Sequence, residues 1–253
     1  MKKIIALLLA VAMLGCFAGC GAKNTDDNKL VMATNAEFPP YEYHEGDKIV
    51  GIDAEIAAAI AEKLGMELEI ADVAFDSIIP GVQEGKYDMG MAGMTVTDER
   101  LEKVAFSDTY AKGVQVVIVK ADGNIKSLDD VNGKKVGVQQ GTTGDIYASS
   151  SVEDGGYGEE NVTKYENGAL AVEALKAGKV DCVIIDNEPA KAYVKANEGL
   201  AILDTEYANE DYAICFAKEN TELQKKVNDA LKALIDDGSV QKIVDKYINT
   251  DEK

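Results

Sequence analysis

Glu84-Gly-Lys-Tyr-Asp88-Met-Gly-Met-Ala92 and Ala177-Gly-Lys-Val-Asp181-Cys-Val-Ile-Ile185 repeat one local pattern, a helix end running through Gly-Lys-x-Asp into an apolar strand. Gly-Lys alone is a common helix stop, because glycine adopts the left-handed turn that ends a helix without a Cβ clash. The repeat carries more weight for where each strand leads. The first runs on to Gly93, Thr95 and Arg100, the second to Asp186, Asn187 and Glu188. Strands and helices alternate around both copies. Leu30 to Thr34 reads as a strand, and Asp53 caps a helix whose Ile56, Ile60 and Leu64 share one face before Gly65 ends it. Met66 to Val73 is a strand, Ser77 to Glu84 a short helix with Pro80 in its first turn, and Asp88 to Gly93 a buried strand. Further helices start at Thr97, Thr143 and Pro189. Alternation of this kind predicts a parallel α/β architecture, and the repeat predicts two similar lobes. Open parallel sheets bind ligands at the carboxyl ends of their strands. One lobe therefore offers a cation and the other an anion.

The cation is Arg100, the only arginine in a chain with 26 strong bases. A guanidinium presents a planar fork that matches both oxygens of a carboxylate, whereas lysine offers a hydrated point charge. Chance survival of one arginine on a solvated turn is the plainer reading, and the neighbours weigh against it. A free amino acid needs both signs: Arg100, Thr95 and the Gly93 amide for its α-carboxylate, Asp186 for its ammonium. In Val136-Gly-Val-Gln-Gln-Gly141-Thr-Thr-Gly-Asp145 a strand ends in a glycine turn and a helix begins, so Thr142, Thr143 and the amides there reach the carboxylate from the second lobe.

Other classes are excluded or weakened by composition. Besides Cys16 and Cys20, only Cys182 and Cys215 occur, each inside an apolar run. They read as buried free thiols, with a disulfide the alternative. His44 is the only histidine, which leaves no zinc cluster and no histidine-based triad, and no phosphate loop is present. No metal and no cofactor is expected. Met1-Lys-Lys followed by the apolar run Ile4 to Leu14 is a secretion signal, too short for a permanent membrane span. Loss of residues 1–19 removes Lys2, Lys3 and no acid, taking the formal net charge from −19 to −21. So acidic a chain repels nucleic acid and anionic lipid. Phe17-Ala-Gly-Cys20 resembles the lipobox of bacterial lipoproteins, which implies Cys20 as a lipidated mature N-terminus and residues 20–29 as a flexible tether. Met13-Leu-Gly-Cys16 is the competing site.

Almost the whole mature chain resembles the solute-binding proteins of polar amino-acid ABC transporters, bacterial solute-binding protein family 3. Thr34-Asn-Ala-Glu-Phe-Pro-Pro-Tyr41-Glu-Tyr is similar to the family's Thr-Asp-x-x-Phe-Pro-Pro-Phe-Glu, Gly51-Ile-Asp53 to its Gly-Phe-Asp, and Ile79-Pro-Gly-Val-Gln-Glu-Gly-Lys to its Ile-Pro-x-Leu-x-x-Gly-Lys. Thr95-Val-Thr-Asp-Glu-Arg100 matches its Thr-x-Thr-x-Glu-Arg, and Gly141-Thr-Thr and Asp186 complete the set. The resemblance implies a two-lobed periplasmic-binding-protein fold with hinges at 111–115 and 208–212. Residues 30–110 and 213–253 would form lobe 1 and residues 116–207 lobe 2. It implies that Arg100, Thr95, Gly93 and Thr143 take the α-carboxylate and Asp186 the amino group, that Phe38 and Phe75 sandwich the side chain, and that Asn35 and Glu37 meet its tip. Asp53 and Asp98 are structural on this reading. Asn35 stands where many relatives that bind basic amino acids have aspartate, while Glu37, the aromatic pair and the acidity favour a basic ligand over glutamine or cystine. The expected protein is a monomer outside the cytoplasm that closes on its ligand, docks on a permease and makes no covalent change. A cyclohexadienyl dehydratase and a sensor input domain are the alternatives on this fold.

Overall fold

The computed structural model describes residues 28–248. The secretion signal, Cys16, Cys20 and the tether up to residue 27 lie outside them, as do the last five residues of lobe 1. Among the described residues no helix is long and apolar enough to cross a membrane.

Two lobes are built, each around its own sheet. In the first, Lys29–Thr34 pairs in parallel with Glu67–Asp72 on one side and with Met89–Gly90 on the other; Cys215–Phe216 and Ala105–Phe106 complete the sheet. Leu30 and Met32 point to one side, where helices Ile52–Leu64 and Thr221–Asp236 bring Ile56, Ile60 and Leu231, all fully buried. Ala33 points to the other, toward Ile78, Val82 and Met94. This period-two division between apolar layers is what lets alternate residues of one strand serve two cores. In the second lobe the strand order is Val162–Tyr165, Val136–Gln139, Cys182–Asp186, Ala111–Lys120, Leu200–Ile202. The chain enters this lobe along Ala111–Lys120 and leaves it along Ala208–Tyr212. These two strands pair antiparallel, from Ala111 with Tyr212 to Gln115 with Ala208, before the chain rejoins the first lobe.

The sheets are mixed rather than purely parallel. Cys182–Asp186 runs antiparallel to Ala111–Lys120, and Cys215–Phe216 antiparallel to Met89–Gly90. Each exception involves a strand at a crossing between lobes: Ala111–Lys120 runs into the second sheet, and Cys215–Phe216 follows the return. Helix alternation dictates direction only within a βαβ unit. The expected strand Asp88 to Gly93 shortens to Met89–Gly90. Gly93, at φ +51°, turns the chain away soon after. Asp53 does not cap its helix either. Gly51 holds the cap position, and the Asp53 carboxylate, fully buried, accepts the Gly93 N–H and the Tyr110 hydroxyl, each at 2.8 Å.

The Gly-Lys-x-Asp repeat has one structural meaning in both lobes. Gly85 and Gly178 both sit at φ +70°. Asp88 and Val31 exchange two bonds, Asp88 N–H to the Val31 carbonyl at 2.9 Å and Val31 N–H to the Asp88 carboxylate at 2.8 Å. Asp181 and Lys135 do the same at 2.7 and 2.9 Å. The aspartate thus satisfies a backbone donor where a strand begins beside its parallel neighbour, and sets the register there.

Candidate functional site

A narrow cavity lies between the lobes. Nine of the ten expected residues line it: Asn35, Phe38, Phe75, Gly93, Thr95 and Arg100 from the first lobe, Thr142, Thr143 and Asp186 from the second. Glu42, Ala92 and Gln139 line it as well. Glu37 does not. Its side chain is exposed, and its carbonyl accepts the Tyr193 hydroxyl from the second lobe at 2.8 Å.

Arg100 forms the cationic wall. It lies on the single-turn helix Asp98–Leu101, whose start Thr97 caps by accepting the Arg100 backbone N–H at 3.2 Å. The residue is 5 % exposed, and its guanidinium donates from Nη1 to the Thr95 carbonyl at 2.7 Å and from Nη2 to the Gly141 carbonyl of the other lobe at 3.1 Å, and lies 5.4 Å from the Phe75 ring centre. Two of its five N–H groups are used, and none meets a carboxylate in an ion pair among the described residues. Burial pushes its pKa down while the negative field of Glu210 pulls it back up. Thr95 donates its hydroxyl to Glu210 at 3.0 Å. The Gly93 amide, expected to face a ligand carboxylate, is taken by Asp53. Gly93 instead supplies space, since a Cβ there would sit 3.0 Å from Phe38 Cε1.

Asp186 forms the anionic wall. It ends the strand Cys182–Asp186 and holds the cap position of helix Asn187–Ala196 without capping it through its side chain. Oδ2 instead accepts from Gln115 Nε2 at 2.6 Å, while Oδ1 is buried and has no partner. Burial first, and then the neighbouring Glu210, push this carboxyl well above the usual range, with the Gln115 bond working against them. Thr142 is spent on architecture: its hydroxyl donates to the Gln139 carbonyl at 2.8 Å and accepts the Asp145 N–H at 3.3 Å. Thr143 is buried, with Oγ1 3.5 Å from Gln115 Nε2.

Side chains of the two lobes meet directly around the cavity. Gln139 donates to Asn35 Oδ1 at 2.8 Å and Gln140 to Asp76 at 2.6 Å, so the lobes are closed on each other. Gln139 lies in a stretch the sequence singles out for its glycine turn, and Glu42 directly follows Pro-Pro-Tyr; neither carries a local sign of facing a cleft. Gln115 and Glu210 went unassigned in the sequence although each is a polar residue buried on a connecting strand. Within the apolar run Val114-Gln-Val-Val-Ile-Val, Gln115 is the readable signal. Cys182 and Cys215 are free and buried, in different lobes, and burial pushes each thiol up to about 12.

The family model of bacterial extracellular solute-binding proteins, family 3, matches residues 30–250. The chain belongs to this family. As a family-3 solute-binding protein it is extracytoplasmic, and its relatives agree along their full length. It is 36 % identical to the arginine-binding extracellular protein ArtP of Bacillus subtilis (strain 168), covering 100 % of both chains. Among solved structures, an ancestral arginine-binding protein bound to arginine shares 42 % identity at a TM-score of 0.80, over 87 % of this chain and 98 % of that one. An ancestral arginine-binding protein bound to glutamine shares 41 % at 0.80 over the same spans. In this family-3 protein Arg100 and Asp186 stand on opposite lobes, so a molecule that touches both is held only when the lobes meet.

Proposed function

We propose that this protein captures a polar L-amino acid, basic ones ahead of glutamine and cystine, in the cleft between its lobes and delivers it to the permease of an ABC importer. One observation carries the reading. Arg100, 5 % exposed, spends two of its five N–H groups on one lobe, and Asp186 has an unpartnered, buried oxygen on the other. A buried acceptor without a partner is costly and the guanidinium has donors to spare, so a zwitterion between the lobes completes both groups. Arg100 takes the carboxylate with Thr143 from the facing lobe, and Asp186 takes the ammonium. Phe38 and Phe75 flank the side chain, with Asn35 and Gln139 beyond them. Aromatic faces suit a cationic side chain, and the relative and structures named above are called arginine-binding, one of them holding glutamine.

Residues 111–115 and 208–212 serve as the hinges, the only paired strands that connect the two sheets among the described residues. Lobe 1 is then 30–110 with 213–253, and lobe 2 is 116–207. The protein works as a monomer held to the membrane through a lipid on Cys20. Incorporation of a labelled fatty acid that survives Cys16→Ala and is lost in Cys20→Ala checks the anchor.

A thermal-shift screen of the ligand-stripped mature chain against the proteinogenic amino acids, ornithine, citrulline and cystine tests the function. A ligand at a hundred times its dissociation constant adds about 2.7 kcal/mol of stability. Shifts with arginine, lysine or ornithine are expected to be largest. Silence across the panel would overturn the reading.

A further inference from the structure

Behind the cavity, Gln115 stands between two acids. Its Nε2 donates to Asp186 at 2.6 Å and lies 3.1 Å from Glu210 Oε2, which also receives the Thr95 hydroxyl. Asp186 and Glu210 are 7 % and 6 % exposed, and each has a second oxygen, Oδ1 and Oε1, that is buried without a partner. Glu210 lies on Ala208–Tyr212 opposite Gly113, and Gln115 is registered with Asp186 on one flank and Ala208 on the other. Both acids therefore converge on one amide where the connecting strands meet the cleft.

From this geometry we infer that Glu210 is part of the ammonium site: placed beside Asp186 on the same amide, it makes Asp186 hold a proton while the cleft is empty, and the incoming α-ammonium displaces that proton to solvent. The inference rests on the amino-acid reading above. A like charge on the same buried amide disfavours the ionised form of Asp186. Of the groups facing them, Arg100 is the cation and balances one charge. Tyr147 lies against Glu210, and Tyr41 and Glu42 face Asp186; burial raises the pKa of all three, so they stay neutral and add no counter-charge. Asp186 itself is held well above the ordinary carboxyl range by burial and then by Glu210. Binding converts a carboxyl and an ammonium into a carboxylate–ammonium pair plus one proton released to the buffer.

The test is calorimetric titration of the mature protein with L-arginine, or with the best-shifting amino acid if arginine gives no heat, at pH 6.5 in buffers of different ionisation enthalpy. Release of close to one proton per ligand is expected, with affinity rising about tenfold per pH unit as the pH is raised through this range. Glu210→Gln removes the like charge beside Asp186, so it should bind with little proton release and a flat pH profile, while Glu210→Asp keeps part of the release. Heat that does not depend on buffer, or equal release from Glu210→Gln and parent, sinks the inference and leaves amino-acid binding standing. If Glu210→Gln does not fold, the buffer series on the parent still decides. Absence of heat with every amino acid sinks both.

Discussion

The two strands that follow Gly-Lys-x-Asp are built alike and end in opposite charges. Each begins with a left-handed glycine and an aspartate that exchanges two bonds with the start of the neighbouring parallel strand. Beyond that point the first strand ends at Gly90, and the chain turns at Gly93 and reaches Arg100 through a separate capped turn, whereas the second stays regular and delivers Asp186 at its last residue. The repeated part is architecture, and the divergent part lines the cavity between the lobes. The shared aspartates satisfy backbone donors, a need that every strand start of this kind has, while only the tips differ in what they can hold.

Breaking the tips should cost most. Asp186→Asn is expected to lower affinity for every amino acid by about a hundredfold, because loss of one partner of a desolvated charge pair costs about 2–5 kcal/mol. Loss confined to one ligand, seen by titration against a panel, would make Asp186 a reader of side chains instead. Arg100→Lys keeps the charge and loses the fork, so at least a tenfold weakening is expected by the same method. Unchanged affinity would remove Arg100 from the clamp.

The first lobe has a carboxyl pair of its own, Glu42 and Asp53, and this sharpens the comparison through pH. Burial raises Asp53 to about 6 despite its bonds from Gly93 and Tyr110, and lifts Glu42 well above the carboxylate range. A raised carboxyl binds its proton more tightly folded than unfolded. Its contribution is therefore present at low pH and is lost as pH rises from the unfolded value through about 6 for Asp53 and higher for Glu42. The unliganded protein is expected to melt several degrees higher near pH 5 than near pH 8 in calorimetric scans. A melting temperature that climbs steadily over that range would mean these acids are ionised when folded.

The smallest effects belong to the repeated aspartates. Asp88→Ala should cost about 1 kcal/mol, and Asp181→Ala less, since Asp88 is half-buried and Asp181 exposed; neither should change affinity. Denaturant unfolding beside titration checks both. A binding defect in Asp88→Ala comparable to that of Arg100→Lys would show that the repeat is part of the site.

Much of the cavity lining was legible because its signals are local. Arg100 is unique, Thr97 is followed by its helix, Gly141 precedes a helix start, and Asp186 closes an apolar strand. What failed did so where partners are remote. The Gly93 amide is consumed by Asp53, 40 residues away, and Glu37 turns its carboxylate outward while its carbonyl meets Tyr193. Gln115 and Glu210, 95 residues apart, meet on one hydrogen bond. The mixed sheets were missed for the same reason, since strand direction depends on where the chain crosses between lobes.

Short-range chemistry in the chain alone determined the elements, their glycine stops, the two-lobe order and the signs of charge at the two strand ends, because propensity, capping and periodicity act within a few residues. Tertiary structure decided which donors remain free, which acids are buried side by side and which residues face the cleft. Those properties depend on burial and on hydrogen-bond partners drawn from distant segments, and neither exists until the lobes have packed.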